Sequence, residues 1–367
     1  MHDLYVGLMS GTSVDSVDAV VVDFSKNKIK ILNQDCYEIP YLIKKEILDN
    51  TKSSTINEKE ITRLDKELGE LFSRVINDLL KKTNLNHKQI KAIGSHGQTI
   101  KHSPNSKPPF TLQIGDPSII AKKCKIPTVG DFRSEDVLSG GQGAPLAPLF
   151  HNYLLNLKKE DSLVINIGGI ANISVLKTGS QDVIGYDIGP GNCLLDSWAR
   201  FSKKGEFDKG GKWASTGKLN KKLLNIFLKE AYFEKDFPKS TGTDFFNIEW
   251  IKRKLKILGS FLKNKDVQAT LLELTSKTIY LEIKKFNLST NNIYICGGGI
   301  HNKELISNLE NKLGCKTHST QRLNINPDFM EAVCFAWLAK QRLNNVTFEL
   351  SNLTGSKGKV FLGRIWK

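Results

Sequence analysis

Apolar residues along this chain fall either into short β-prone runs or into stretches of three-and-four spacing, and the alternation between the two lays out its elements. Leu4–Met9 is apolar, Ser10–Asp18 is rich in turn formers, and Ala19–Phe24 is strongly β-prone. The stretch therefore reads as strand, polar turn, strand. Leu163–Leu176 repeats the design, with Gly168 and Gly169 between two β-prone runs. A third strand meets Gly297, Gly298 and Gly299, this time running on into a helix. Elsewhere the spacing becomes three-and-four: Ile61, Leu64, Leu68, Leu71, Phe72, Val75, Ile76 and Leu79 share one helical face. Asn57 and Glu60 are placed as a capping box for that helix. Leu271, Leu274, Thr278 and Leu281 mark a second helix near 268–285. A third runs from Phe329 to Leu343, with Asp328 and Glu331 placed as its capping box.

Strand–turn–strand units in separate halves predict a duplicated α/β architecture, each half a sheet flanked by helices, with a cleft between them. The expected first domain is 1–130, with 340–367 packing back on it, and the second is 131–339. Composition changes this picture little. The net charge of +15 is spread over lysine pairs such as Lys44–Lys45 and Lys284–Lys285, with no stripe interleaved with aromatics. A solvated lysine-rich surface explains it better than nucleic acid or an anionic membrane. The six cysteines include no CxxC pair, so neither a zinc ribbon nor a disulfide framework is indicated. Met1–Met9 shows no basic segment followed by an apolar one, and no apolar run is long enough to span a bilayer. The expectation is a cytoplasmic protein.

Candidate chemistry gathers at the turns. Ser10, Gly11, Thr12 and Ser13 combine exposed backbone N–H groups, hydroxyls and little bulk, which suits a phosphate chain. Asp15 and Asp18 offer carboxylates that hold Mg²⁺ directly or through water. It is not a Walker A loop, because no lysine follows the glycines. Taken alone, an ordinary hairpin turn is the better explanation. The further glycine turns at 168–169 and 297–299 shift the balance toward a bound nucleotide. Asp187, just before a Gly-Pro-Gly loop, is placed to project into a cleft as a general base, although a carboxylate capping its own turn fits as well. His96 and Gln98 suit hydrogen bonds to a sugar, and a buried structural histidine is equally compatible. Arg133 has the planar fork that takes a carboxylate, with a surface salt bridge as the alternative. The loop Leu138–Pro148 is read as shaping a pocket, and Glu331 as a helix cap.

Together these segments resemble the anhydro-N-acetylmuramic acid kinase family. The resemblance is carried by MSGTSVDSVD (Met9–Asp18), GSHGQT (Gly94–Thr99), TLQIGD, VGDFR (Val129–Arg133), GGQGAPLAP, VINIGGIANIS (Val164–Ser174) and GYDIGPGN (Gly185–Asn192). PKSTGTDFFN (Pro238–Asn247), VQATLLELT, CGGG (Cys296–Gly299) and MEAVCFAWLA (Met330–Ala339) continue it. It implies two related actin- and hexokinase-like (ribonuclease H-like) domains around an ATP cleft. It also implies that Gly11, Thr12, Ser13, Val14, Asp15, Ser16, Val17 and Asp18 form the ATP-phosphate turn, and that Gly168, Gly169, Gly297, Gly298 and Gly299 line the nucleotide. Asp187 then matches the base, and Arg133, Glu331, His96 and Gln98 contact the sugar. MgATP, a 1,6-anhydro-N-acetylmuramic acid substrate, peptidoglycan recycling and a homodimer are implied with them. Two positions depart from the family pattern: Ser16 stands where Gly is usual, and Ile188 where Thr is usual. Alternatives are a kinase acting on an ordinary sugar hydroxyl, a non-catalytic nucleotide-binding module, and, last, a nucleic-acid binder.

Overall fold

In the computed structural model, residues 2–25, 29–53, 55–156, 161–178, 183–286 and 292–367 are described. Strands β1 (Leu4–Ser10) and β2 (Ser16–Asp23) pair antiparallel around the polar turn, Leu4 opposite Asp23 and Ser10 opposite Val17. Strand β3 (Lys30–Glu38) adds to β2 antiparallel. Helices α1 (Tyr41–Lys52) and α2 (Glu58–Lys82) then lead to β4 (Ile90–Ser95), which lies parallel to β1. A separate hairpin of β5 (Gln98–Ser103) and β6 (Phe110–Ile114) follows. Helix α3 (Pro117–Cys124) precedes β7 (Thr128–Gly130), parallel to β4. Helices α4 (Ser134–Leu138) and α5 (Ala147–Asn156) come next.

The apolar face read from the sequence of α2 is buried. Leu64, Leu68, Phe72, Ile76 and Leu79 join Val6, Leu8, Val17, Ala19 and Val21 in one core. Each Leu, Ile, Val and Phe among them contributes about 1.5–3 kcal/mol when taken fully from water. Half of the expected capping box forms. Asn57 accepts the Glu60 N–H at 3.4 Å, but the Glu60 carboxylate accepts from Asn50 Nδ2 instead of returning to Asn57.

The second sheet repeats the plan. Strands β8 (Ser162–Ile167), β9 (Ile170–Leu176) and β10 (Ile184–Pro190) run antiparallel to one another in turn. Helices α6 (Cys193–Phe201), α7 (Lys221–Leu228), α8 (Ile248–Leu258) and α9 (Asn264–Lys285) follow. Strand β11 (Ile293–Cys296) returns parallel to β8, and after α10 (Lys303–Leu313) comes β12 (His318–Ser319), parallel to β11. The orders are β3-β2-β1-β4-β7 and β10-β9-β8-β11-β12. Counted within each sheet, both read third, second, first, fourth, fifth, with the same strands antiparallel. The duplication legible as two strand–turn–strand units is thus a duplication of topology, of the ribonuclease H-like kind.

The chain then returns to the first unit through α11 (Met330–Leu343), a short pair β13 (Phe348–Glu349) and β14 (Lys359–Val360), and β15 (Arg364–Trp366), which extends the first sheet beyond β7. One unit is Met1–Phe150 with Phe329–Lys367, and the other is His151–Asp328. These limits replace the expected ones at 130 and 340, for a local reason at each join. Residues 131–150 are tied into the first unit by Asp136, whose carboxylate accepts from Gly143 N–H at 2.6 Å and from Thr354 Oγ1 at 2.6 Å. All of α11, not only the chain after it, belongs there because it lies directly on β1 and β4. Gly7 and Gly94 are register partners on those strands. A Cβ at Gly7 would stand 1.9 Å from the Ala332 carbonyl oxygen, and one at Gly94 would stand 2.0 Å from that of Phe335. Every residue of α11 from Ala332 to Ala339 is buried, so the helix has no solvent face near its middle. Among the described residues no helix is long and apolar enough to cross a membrane.

Candidate active site

In the first unit the β1–β2 turn is held rigidly from below. Val14 takes φ 55°, a region costly for a β-branched residue, with its side chain wholly buried in the core. Its N–H donates to the Gly11 carbonyl at 3.1 Å. Gly11 itself faces open space: a Cβ there would meet nothing within 4 Å. The left-handed residue is Val14, not Ser16, which lies in ordinary β2 conformation. The serine at that departure therefore imposes no backbone strain. Asp15 is exposed and its carboxylate pairs with Lys44. Asp18 lies opposite Met9 and Cys36 in the sheet. Among the described residues no group of three or more His, Cys, Asp or Glu could hold a metal.

Gln98 and His96 both bond within this unit. Gln98 is buried and its Oε1 accepts from Ser10 Oγ at 2.6 Å, which fixes the residue where the turn begins. Its Nε2 donates to the Thr99 carbonyl at 3.3 Å. His96 spends both ring nitrogens on the protein. Nδ1 lies 2.9 Å from the Gly97 carbonyl, which can only accept, so Nδ1 carries the proton. Nε2 then accepts from Arg133 Nε at 3.0 Å and Nη2 at 2.9 Å. Burial, then the Arg133 charge, hold this imidazole well below its usual pKa, so it is neutral. Gln98 thus braces the turn and His96 braces the arginine.

Arg133 donates from Nη1 to the Gly143 carbonyl at 2.7 Å. Clamped at both sides, the guanidinium has a fixed plane, the condition for bidentate recognition of an anion or sugar oxygens. Glu331 is its neighbour in charge: burial raises the Glu331 pKa and Arg133 opposes that rise. The expected capping role is not what places Glu331. The N-cap of α11 is Phe329 without a side-chain bond, and the Asp328 carboxylate is bonded to His301 Nε2 at 2.9 Å. Helix α11 positions Glu331 through the Gly7 and Gly94 contacts described above. The Gly/Pro loop expected to shape a pocket is pinned here through Gly143.

In the second unit the Gly168–Gly169 turn supplies carbonyls. Gly168 accepts from Asn192 N–H at 2.8 Å, and Gly169 accepts from Gly191 and Cys193 N–H at 2.9 and 3.0 Å. The turn thereby secures the Gly-Pro-Gly loop and the start of α6. At the third turn, Gly297 has φ 77°, and a Cβ there would meet Asn166 Oδ1 at 2.3 Å. Gly299 is pressed equally close to Ile167, whereas a Cβ on Gly298 would meet nothing within 4 Å. Of these three glycines, Gly298 is the one that leaves bare backbone beside open space.

Asp187 is 8 % exposed near the end of β10. Its Oδ2 accepts from Thr241 N–H at 3.0 Å, its N–H donates to the Lys239 carbonyl at 3.2 Å, and its carbonyl accepts from Tyr232 Oη at 2.8 Å. The pairing with β9 is irregular between Asp187 and Gly189, a device that re-aims a side chain at a strand end. Ile188 lies wholly inside the second unit's apolar core, so that departure does not intrude on the carboxylate. Beside Asp187 sits a buried cluster that inspection of the sequence did not single out. Glu282 accepts from Lys239 Nζ at 3.0 Å and Tyr186 Oη at 2.8 Å, and pairs with Lys285. Burial raises the Glu282 pKa, but the bonds from Lys285, Tyr186 and Lys239 outweigh it, so Glu282 is ionised. Lys239 lies within PKSTG, a stretch matched by the resemblance but given no role by spacing alone.

A family model described as anhydro-N-acetylmuramic acid kinase matches residues 3–367. Proteins named anhydro-N-acetylmuramic acid kinase align over nearly the whole chain. The Coxiella burnetii (strain Dugway 5J108-111) protein is 42% identical over 366 residues, covering 99% of this chain and 97% of the relative. That of Vibrio vulnificus (strain CMCP6) is 41% identical over 99% and 98% of the two chains, and that of Pasteurella multocida (strain Pm70) 43% over 99% and 96%. Among solved structures, the activator of the 2-hydroxyisocaproyl-CoA dehydratase from Clostridium difficile with bound ADPNP aligns at 15% identity and a TM-score of 0.43. That alignment covers 95% of this chain and 99% of that one. A ROK family glucokinase from Streptomyces griseus in complex with glucose and AMPPNP aligns at 11% and 0.42, over 92% and 99%.

Proposed function

The chain belongs to the anhydro-N-acetylmuramic acid kinase family, and from that membership we propose that it opens 1,6-anhydro-N-acetylmuramic acid and phosphorylates it from ATP. The observation that carries the residue assignments is Asp187, a buried carboxylate oriented by the Thr241 N–H. In this reading Asp187 takes a proton from water, and the oxygen of that water bonds to the anomeric carbon. The bond from that carbon to the bridging O6 breaks, and O6 takes the γ-phosphoryl group. The products are N-acetylmuramic acid 6-phosphate and ADP. Attack opposite the leaving oxygen inverts the anomeric centre, as for other single displacements at this carbon.

The remaining roles follow the chemistry of each group. Arg133, with its plane fixed by His96 and Gly143, suits the sugar's carboxylate. Glu331 suits a sugar hydroxyl beside it. The β1–β2 turn, bare at Gly11 and stiffened by Val14, suits phosphate oxygens, and Gly298 suits close approach of the nucleotide. Mg²⁺ takes hard oxygen donors and typically only one or two carboxylates besides phosphate. Asp15 and Asp18 fit that chemistry, although Asp15 must exchange its Lys44 partner for the cation. When bound, the ion would neutralise charge on the phosphates. A cytoplasmic site of action, in the recycling of cell-wall sugar, fits the use of ATP.

The test is release of ADP from purified protein with MgATP, with and without the anhydro sugar. Release that depends on the sugar, with a 6-phosphate product, is expected. Release with N-acetylhexosamines but not with the anhydro sugar would replace this reading by phosphorylation of an ordinary hydroxyl. ATP binding without turnover on any sugar would replace it by a non-catalytic module.

A further inference from the structure

The buried Lys239–Glu282 pair lies behind the proposed base and is used by none of the steps above. Lys239 is 5 % and Glu282 4 % exposed. The lysine ammonium, 3.0 Å from Glu282 Oε1, sits over the rings of Tyr186 at 5.4 Å and Tyr232 at 5.3 Å. Tyr186 donates to the other Glu282 oxygen, and Tyr232 donates to the Asp187 carbonyl. Phe237 stacks on Tyr186 with centroids 5.4 Å apart, which holds the segment leading into Lys239. The same short segment grips Asp187 twice, through the Lys239 carbonyl on its N–H and the Thr241 N–H on its carboxylate.

From this arrangement we infer that Lys239 is a positioning residue for Asp187. Anchored by Glu282, it fixes residues 239–241 so that the Thr241 N–H sets the direction of the carboxylate. An ion pair in this setting brings no large gain over a well-packed apolar pair. What it does supply is a bond of defined direction, and a base displaced by about 1 Å can lose a hundredfold in rate. Lys285 also reaches Glu282, from a half-exposed position. Removing the Lys239 ammonium therefore leaves that carboxylate paired, which favours a folded variant.

The inference rests on the proposed reaction for its kinetic arm and on geometry alone for its second arm. In the first, Lys239→Met lowers kcat by at least roughly tenfold with the KM for ATP changed less than about twofold. In the second, amide hydrogen exchange at residues 239–241 quickens by at least roughly tenfold while the rest of the unit keeps its protection. If Lys239→Met does not fold, Glu282→Gln, which keeps the side chain's shape but removes the charge that anchors Lys239, is measured in the same way. A folded variant with wild-type exchange at 239–241 overturns the anchoring. Quickened exchange with wild-type kcat overturns its bearing on the base. Quickened exchange in a chain whose wild type never turns over the anhydro sugar upholds the anchoring and rejects the reaction.

Discussion

Asp187→Asn is expected to lower sugar-dependent ADP release by about a hundred- to ten-thousand-fold, the range over which a positioned general base acts. The substitution is chosen to change protonation and little else. An asparagine carbonyl can still accept from the Thr241 N–H, as Asp187 Oδ2 does now at 3.0 Å. The two backbone bonds of residue 187, to Lys239 and Tyr232, do not involve its side chain. Melting temperature should therefore stay within about 2 °C of the wild type, since the Thr241 N–H keeps its acceptor. ATP affinity should also hold, because Asp187 is assigned to water and not to the nucleotide, whose candidate contacts are Gly11–Asp18 and Gly298. Wild-type turnover in a folded Asp187→Asn protein would remove this residue from the role of base.

The largest expected effect on stability comes from a methyl group far smaller than that functional change. In Gly94→Ala the new Cβ would stand 2.0 Å from the Phe335 carbonyl oxygen and 3.1 Å from the Ala339 Cβ. Backbone cannot rotate aside as a long side chain can, so α11 must lift from β4. Overpacking of this kind costs about 1–3 kcal/mol or more. For a unit of this size that corresponds to a fall in melting temperature of roughly 2–12 °C. The loss should be felt in activity as well. Phe335 packs on His96 with ring centroids 4.7 Å apart, and Glu331 lies one turn earlier on α11. Lifting the helix thus disturbs both the support of Arg133 and its charged neighbour. Gly7 lies beside Gly94 in register and faces Ala332 as closely, so substituting both should cost less than the sum of the two single changes. Scanning calorimetry checks the first number. A Gly94→Ala protein melting with the wild type would mean that α11 does not press on β4 as described.

These cases also show which features could be read from the chain before the structure. Continuous apolar, β-prone runs around Ser10–Asp18 and Gly168–Gly169 located both strand–turn–strand units, because these strands are buried along nearly their whole length. The three-and-four spacing of α2 was legible because one face of that helix is buried. Helix α11 was placed as an element but divided between the wrong domains. A helix buried on every side carries no stripe to show what it packs against, and the small residues Gly7 and Gly94 that receive it lie far away in sequence. Asp328 and Glu331 have the spacing of a capping box, yet none forms, because Asp328 pairs with His301 instead. His96 and Gln98 were identified as special, but their partners Arg133 and Ser10 lie 37 and 88 positions away. Local context could not show these supporting bonds. Lys239 and Glu282 are 43 positions apart, and in the sequence each passes for one more surface charge. The effects of Ser16 and Ile188 became clear only once the left-handed residue proved to be Val14 and Ile188 proved to be core.

The measurement that bears most directly on the central claim is the fate of water oxygen during turnover. Purified protein is given MgATP and 1,6-anhydro-N-acetylmuramic acid in oxygen-18 water, and the product is read by mass spectrometry. If ring opening and phosphoryl transfer are one coupled reaction, a single label enters the sugar at the anomeric hydroxyl, and the phosphate on O6 carries none. Label in inorganic phosphate, or a phosphorylated sugar without label, would contradict that coupling.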